Sequence, residues 1–266
     1  MDIQHLERLC QSTRELIADV ASFIEDQLEK VTISDIETKS LNSLVSYVDK
    51  TAEQKLVQGL KARWADSTFL TEEETIANTE GEYRWIIDPL DGTTNFLHRL
   101  PFFAISVALQ HQGELIMGII YEVNRKESFY AWKGGGAWLN GKRIQVSSNE
   151  HLQDAVLATG FPYYDYTYQA NYFATLSDLS SRTRGIRRFG AAALDLAYVA
   201  CGRFDAYFEY SLQAWDVAAG IVIVQEAGGV VSDFSGGGDC LFGQQMIAGT
   251  PKMHSEVLQS VQKHFS

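Results

Sequence analysis

The sequence has few cysteines, and the three that it has are far apart. Cys10, Cys201 and Cys240 form no closely spaced pair, and none is flanked by a metal-ligand pattern. A disulfide scaffold and a structural zinc site are therefore both disfavoured. We expect free thiols that behave as small buried side chains.

Positive charge is also scarce. Lys and Arg together number 22 against 34 Asp and Glu, which gives a formal net charge of −12. No basic stripe is available to neutralise nucleic-acid phosphates or an anionic membrane, so we expect neither as a direct partner. A phosphate ester is not excluded as a substrate, because a bound cation reverses the local field.

Long apolar stretches are missing as well. The N-terminal MDIQHLERLC lacks the apolar core of a signal peptide, and no later stretch is long and apolar enough to span a bilayer. We therefore expect a soluble cytoplasmic protein. Its 266 residues, 45% of them hydrophobic, can bury a large core. The polar SSNEHLQD near position 150 predicts a boundary between an N-terminal α+β half, 1–150, and a C-terminal α/β half, 151–266.

The most informative stretch of the sequence is WIIDPLDGTTNF, residues 85–96. An apolar run over 83–87 predicts a buried strand with Asp88 at its tip, stopped by Pro89. Asp91 and Gly92 then begin a turn that opens a helix with free amides, which bind anions. Two carboxylates three positions apart can share a hard cation while the amides of Gly92 and Thr93 receive a phosphate. If the D-x-x-D-G pattern is taken without its flanking residues, the alternative to a metal site is an ordinary Asp-Gly turn in which both aspartates act as caps.

The full string is more specific, because it resembles the first signature of the inositol monophosphatase family, and the resemblance continues to the C-terminus. FLTEEE, residues 69–74, is similar to the strand-end Glu-Glu of the family and implies Glu72 as a metal ligand, with Glu73 as the fallback. WDVAAG, residues 215–220, is similar to the second signature and implies Asp216 as a ligand, although an Asp at a helix start is also an ordinary N-cap.

The resemblance implies a metal site built from oxygen atoms alone. Glu72, Asp88 and the Leu90 carbonyl would hold one ion, and Asp88, Asp91 and Asp216 a second; a third would be weakly held near Glu72. Oxygen ligands select Mg²⁺, or Mn²⁺, over zinc.

The resemblance also implies the catalytic groups. Thr93 and Glu72 would position the attacking water and accept its proton. Asp49 would support the site from behind the ligands. It precedes a helix predicted over residues 52–64, so a capping role is the alternative, and both roles can hold.

The substrate residues implied by the family are Asp91, Gly92, Thr93, Gly190, Ala191, Ala192, Glu209 and Asp216. Two departures from the family pattern matter here. Ala191 stands where some members have a hydroxyl residue, so that side-chain contact is lost. Ser43 stands in the Asp place of the K-x-x-x-x-D-x-V-T block, with one residue fewer after Lys39, so the role of Lys39 is not carried over.

A second phosphate-binding motif has to be weighed and set aside. GAWLNGKR, residues 136–143, nearly matches a P-loop, but Arg143 replaces the magnesium-binding hydroxyl and the following residues read as a strand. Asn140-Gly141 instead predicts a hairpin turn, next to a meander of strands over 103–109, 115–121 and 128–132.

The chain's one basic concentration contains Arg182, Arg184, Arg187 and Arg188. These arginines could attract an anionic substrate. For most of them, we favour the alternative that they offset acidic neighbours.

The resemblance implies an α/β (α+β) fold, a layered αβαβα sandwich of the metal-dependent sugar phosphatase type. It implies a lithium-sensitive, homodimeric hydrolase that uses two or three Mg²⁺ ions to release phosphate from myo-inositol 1-phosphate. Other small phosphate esters are alternatives: fructose 1,6-bisphosphate, histidinol phosphate and 3′-phosphoadenosine 5′-phosphate. A role as a binding partner of the transcription machinery is the alternative from another class, because GAAALDLAYVA, residues 190–200, resembles the bacterial extragenic-suppressor members of the family.

Overall fold

The computed structural model describes residues 3–32, 36–40, 43–162 and 165–265; the side chains of 36–40, 43 and 44 are outside the description. The prediction about Lys39 and Ser43 therefore falls outside the described side chains. In the described part of the chain the helices are α1 (Ile3–Gln27), α2 (Tyr47–Arg63), α3 (Thr93–Leu97), α4 (Gln169–Ser180), α5 (Ala192–Ala200), α6 (Ala214–Glu226) and α7 (Pro251–Phe265).

The described strands pair into three sheets. They are β1 (Ile36–Ser40), β2 (Ser43–Ser46), β3 (Thr68–Thr71), β4 (Tyr83–Asp91), β5 (Ala104–His111), β6 (Glu114–Glu122), β7 (Glu127–Trp132), β8 (Gly136–Leu139), β9 (Lys142–Ile144), β10 (Val156–Thr159), β11 (Gly185–Arg187), β12 (Ala206–Tyr210), β13 (Val230–Ser232) and β14 (Gln245–Gly249).

The layers alternate between helices and sheets, which confirms the predicted αβαβα sandwich. One apolar core lies between α1 and α2 and one face of the seven-stranded sheet. The second lies between that sheet and the five-stranded sheet and contains α5 and α6. The third lies under α4 and α7 on the outer face of the five-stranded sheet. The seven-stranded and five-stranded sheets are therefore buried on both faces, which explains the nearly continuous apolar runs of their central strands.

The larger sheet has the order β3-β4-β5-β6-β7-β8-β9. β3 pairs parallel with β4 and every later neighbour is antiparallel, so the predicted meander is confirmed. Asn140 and Gly141 have φ values of 48° and 81° and join β8 to β9. Positive φ at both central residues is the geometry of a type I′ hairpin turn. The P-loop interpretation is excluded, because no helix follows.

The smaller sheet has the order β11-β10-β12-β14-β13. β10 is parallel to both β11 and β12, whereas β14 runs antiparallel to its two neighbours. The parallel arrangement carries the ends of β10 and β12 to the same edge of the sheet. The Glu209 side chain and the residue after Thr159 therefore reach the same side of the molecule.

Three predicted boundaries are wrong. α2 begins at Tyr47, because Ser46 and Asp49 form a capping box, so Asp49 lies inside the helix at its third position. β4 continues through Pro89 to Asp91, because the register shifts between Asp88 and Asp91 and a proline fits such a bulge without breaking the ladder. The sequence predicts a strand over 205–208 that leads to Glu209, whereas Glu209 lies within β12.

The described helices include none that is both long and apolar enough to cross a bilayer.

Close packing of α6 on the larger sheet depends on Gly118. A Cβ atom there would lie 2.4 Å from the carbonyl oxygen of Ala219, which belongs to the helix that carries Asp216. We expect Gly118→Ala to lower the free energy of unfolding by about 2–3 kcal/mol, the cost of overpacking against backbone. Urea titration would measure this loss. Gly238→Ala is the control, because a Cβ atom there meets nothing within 4 Å; equal losses in the two variants would contradict the packing argument.

Candidate functional site

An open cleft lies where β4, β10 and β12 end and α3, α5 and α6 begin. Its volume is about 870 Å³ including the open mouth. The following predicted residues line it: Glu72, Asp88, Leu90, Asp91, Gly92, Thr93, Gly190, Ala191, Ala192, Glu209 and Asp216. Asp49 is the one predicted site residue that lies behind the cleft wall. Carboxylates separated by up to 144 positions in the sequence are thus brought to one cleft.

Glu72 and Asp88 meet at the end of the parallel pair β3 and β4. The Asp88 side chain is 2% exposed and forms a hydrogen bond with the Glu72 carboxyl. Asp88 Oδ1 also accepts a hydrogen bond from the Leu90 amide at 2.9 Å. Burial, with the neighbouring charge of Glu72, raises the pKa of Asp88 well above its ordinary value. A bound cation would offset both the burial and the repulsion between these carboxylates.

Asp91 joins β4 to the start of α5. Its Oδ2 accepts a hydrogen bond from the Ala193 amide at 2.7 Å, and burial raises its pKa to about 7. Gly92 follows with a φ of 90°, and a Cβ atom there would lie 3.0 Å from the Phe102 carbonyl oxygen. Glycine is therefore needed both for the backbone conformation and for the close approach of the Phe102 carbonyl.

Asp216 and Glu209 stand on the opposite wall. Asp216 is the third residue of α6 and accepts a hydrogen bond from the Gln213 amide at 2.7 Å in a capping box, so it caps the helix from its third position and not from the N-cap position. Burial, followed by the charge of Asp91, raises the pKa of Asp216 to about 7. Glu209 Oε2 accepts a hydrogen bond from the Tyr207 hydroxyl at 2.6 Å, and burial raises the Glu209 pKa to about 8.

Thr93 is held from behind by Asp49. The Thr93 hydroxyl lies 2.9 Å from Asp49 Oδ1 and 3.1 Å from the Leu90 carbonyl oxygen. The other oxygen of Asp49 accepts hydrogen bonds from the Ser46 amide and hydroxyl at 2.8 and 2.7 Å. Asp49 therefore has both interactions foreseen from the sequence: it caps α2 and contacts the site.

The donor set suits a hard divalent cation. It consists of four carboxylates and one backbone carbonyl, with no histidine or cysteine, and the carboxylates are so buried that a cation would relieve their mutual repulsion. Within the described ranges, however, no three acidic, histidine or cysteine side chains are already arranged as an ion shell.

The cleft also contains residues that the sequence reasoning missed. A Cβ atom on Gly160 would lie 2.0 Å from a carboxylate oxygen of Glu209, so the absence of a side chain makes room for that carboxylate. Asn95 Nδ2 donates to the Phe102 and Phe189 carbonyl oxygens at 2.7 and 2.8 Å and so ties α3 to the turn before α5. Gly160 lies in no sequence pattern used above, and Asn95 lies in the 85–96 string, which predicts no role for it.

The arginines of the basic concentration divide between surface ion pairs and the cleft. Arg182 pairs with Asp178 and Glu256, and Arg184 pairs with Asp154, on the protein surface. Arg188 alone among the four lines the cleft. For two of the four, the prediction that they offset acidic neighbours is therefore confirmed.

Comparison with known proteins agrees with this fold and cleft. The family model described as the inositol monophosphatase family matches residues 5–266. The chain is 42% identical over 242 residues to the "Nus factor SuhB" of Pseudomonas aeruginosa, covering 89% of each chain. It is 40% identical over 232 residues to the "Inositol-1-monophosphatase" of Mesorhizobium japonicum, covering 87% of each chain.

Solved structures show the same similarity. The "extragenic suppressor protein suhB" of Bartonella henselae superposes with a TM-score of 0.84 at 39% identity, over 96% of this chain and 95% of that one. The IMPase of Thermotoga maritima superposes with a TM-score of 0.87 at 35% identity, over 97% and 98%. Fold and cleft thus define a layered α/β protein of the sugar-phosphatase type. The chain belongs to the inositol monophosphatase family.

Proposed function

We propose that the protein is a Mg²⁺-dependent phosphatase that hydrolyses myo-inositol 1-phosphate to inositol and phosphate. The observation that carries the proposal is the convergence of four carboxylates, from three separated sequence blocks, on one cleft beside the first amides of α3. The first N–H groups of a helix have no acceptor within it, so those of Gly92 and Thr93 are suited to phosphoryl oxygens.

The residues divide the proposed reaction among them. Glu72, Asp88, Asp91, Asp216 and the Leu90 carbonyl would hold the two or three ions. Bound Mg²⁺ would polarise the ester and lower the pKa of water. The Thr93 hydroxyl orients the attacking water, and Glu72 accepts its proton. Hydrolysis then transfers the phosphoryl group to water and leaves the polyol as an alcohol, with no covalent bond to a side chain.

The opposite wall would recognise the polyol. Glu209, with the backbone at Gly190, Ala191 and Ala192, is proposed to bind substrate hydroxyls, in line with its place across the cleft from the amides of α3. We also propose that the protein is lithium-sensitive, homodimeric and cytoplasmic. Light scattering coupled to size exclusion, and inhibition by LiCl at fixed ionic strength, would test the first two.

A panel of substrates tests the proposed function. Phosphate release would be measured with Mg²⁺ from myo-inositol 1-phosphate, fructose 1,6-bisphosphate, histidinol phosphate and 3′-phosphoadenosine 5′-phosphate. We expect the highest kcat/KM for the inositol ester. A preference for another ester would reassign the substrate, and no metal-dependent release from any of them would contradict the enzyme.

Thr93→Val is expected to lower kcat about 100-fold while the fold is kept. Valine has the same shape but no hydroxyl, so the contact with Asp49 and the alignment of water are both lost. Steady-state kinetics and thermal unfolding would be measured together. Thr175→Val is the matched control, because its buried hydroxyl bonds the Asn171 carbonyl within α4. Similar activity losses in both variants would contradict a specific role for Thr93.

A second candidate is a binding role in transcription. It is favoured by the relatives named "Nus factor SuhB" or "Putative Nus factor SuhB", which are 40–44% identical to this chain. Complementation of a strain lacking the gene would separate the two functions. If the Asp91→Asn protein complements the strain although it has no phosphatase activity, the binding role stands. If it does not complement the strain, the cellular role depends on catalysis.

A further inference from the structure

The loop that carries Glu72 is anchored from outside by a buried carboxylate. Glu53, on α2, is fully buried. Its Oε2 accepts a hydrogen bond from the Glu73 amide at 2.7 Å, and its Oε1 accepts from the Thr75 amide and hydroxyl at 2.7 and 2.6 Å. Bonds from backbone amides to a carboxylate are short and strong, so this side chain fixes the backbone directly after Glu72.

The loop has a conformation that needs such support. Glu74 has a φ of 52°, in the left-handed region that side chains other than glycine rarely adopt. The Glu73 and Thr75 amides on either side of it both point to Glu53. The left-handed conformation of Glu74 thus lets the two amides converge on one carboxylate. These hydrogen bonds fix the backbone of residues 73–75.

The same helix face holds a second part of the site. Asp49 and Glu53 are four residues apart, so they lie on one face of α2, one turn from each other. Asp49 contacts the Thr93 hydroxyl, whereas Glu53 holds the loop of Glu72. α2 packs on β4, whose end carries Asp88 and Asp91. A single rigid helix therefore sets the separation between the two groups proposed to handle the attacking water.

We propose that Glu53 is a positioning residue for Glu72: it holds the 73–75 backbone so that the Glu72 carboxylate faces Asp88 and the cleft. The expected effect of Glu53 on catalysis rests on the proposed phosphatase function. Its structural consequence, a correctly placed metal ligand, can be measured without substrate.

The test is Glu53→Gln, which keeps the shape but presents an NH₂ group to one of the donors. We expect kcat for myo-inositol 1-phosphate to fall about 10–100-fold, the usual range for partners that orient metal ligands, with KM within about threefold. Mn²⁺ binding to the substrate-free protein, followed by electron paramagnetic resonance, should weaken about tenfold. Amide exchange in the peptide covering 72–75, read by mass spectrometry, should become faster.

Glu226→Gln is the matched control. Glu226 clamps a turn in the same way, accepting from the Gly134 and Gly136 amides at 2.8 Å each. It lies ten residues along α6 from Asp216, about 15 Å at the helical rise. We expect this variant to keep kcat and Mn²⁺ affinity within about twofold of the original protein.

The outcomes separate the two proposals. If Glu53→Gln keeps wild-type kcat and Mn²⁺ affinity, or loses them only as much as Glu226→Gln does, Glu53 is a general structural anchor and the inference is overturned. If the original protein hydrolyses no ester but Glu53→Gln still weakens Mn²⁺ binding selectively, the phosphatase fails and the positioning role stands. If Glu53→Gln does not fold, Thr75→Val carries the test; it should weaken Mn²⁺ binding about three- to tenfold, and an unchanged affinity would overturn the inference.

Discussion

Asp91→Asn is expected to lower metal-dependent phosphate release at least about 1000-fold, equivalent to about 4 kcal/mol of transition-state stabilisation. The amide can keep the hydrogen bond from the Ala193 amide, so the fold should be retained. It cannot supply the negative charge that the proposed second ion requires. Initial rates with saturating Mg²⁺ and myo-inositol 1-phosphate would measure the effect.

Asp205→Asn is the control for this substitution. Asp205 is 8% exposed, as Asp91 is, and also accepts a hydrogen bond from a backbone amide, that of Val156, at 2.7 Å. It does not line the cleft. We expect its kcat to stay within a few-fold of the original, since only a hydrogen bond outside the cleft is altered. Retention of more than a tenth of the activity in Asp91→Asn would contradict the proposed ligand role.

The metal-free protein is expected to lose stability as the pH rises from 6 to 8.5. Burial raises the pKa of Asp91 and Asp216 to about 7 and that of Glu209 to about 8. The unfolded chain has already lost these protons at pH 6, whereas the folded chain still holds them. Because the folded state binds more protons, these carboxyls stabilise it at low pH. That stabilisation is lost as the pH rises through their pKa values in the folded protein. We expect Tm to fall by about 10 °C over this range.

Bound Mg²⁺ should abolish most of this loss, because a cation takes the place of the protons. Differential scanning calorimetry in EDTA and in Mg²⁺, at pH 6.0 and 8.5, would measure both effects. Glu209→Gln serves as a partial control: it removes one titrating group and should make the fall in EDTA smaller. A metal-free Tm that stays constant or rises between pH 6 and 8.5 would contradict the account.

Much of the fold followed from local patterns. The apolar runs of β5 to β7 and the Asn140-Gly141 turn are short-range signals that tertiary packing reinforces. Boundaries failed where long-range contacts decide them. β4 crosses Pro89 because an extra residue of β4 forms a bulge opposite β5, and α2 starts early because Ser46 caps it with Asp49.

The sequence predicts the carboxylates of the site better than the residues that hold them in place. Family signatures identify Asp88, Asp91 and Asp216 because those residues stand in short, distinctive strings. Gly160 and Glu53 lie in no such string, and their importance appears only when another element packs against them. A helix residue that serves a loop 20 positions away leaves no local pattern, because the contact is set by tertiary structure.

The most direct test of the central claim is anomalous diffraction from crystals of the protein grown with Mn²⁺. The account predicts anomalous peaks in the cleft, one bounded by Glu72, Asp88 and the Leu90 carbonyl and one by Asp88, Asp91 and Asp216. The second peak should be missing in Asp91→Asn. A cleft without an anomalous peak at saturating Mn²⁺, or peaks bound by other residues, would contradict the proposed site.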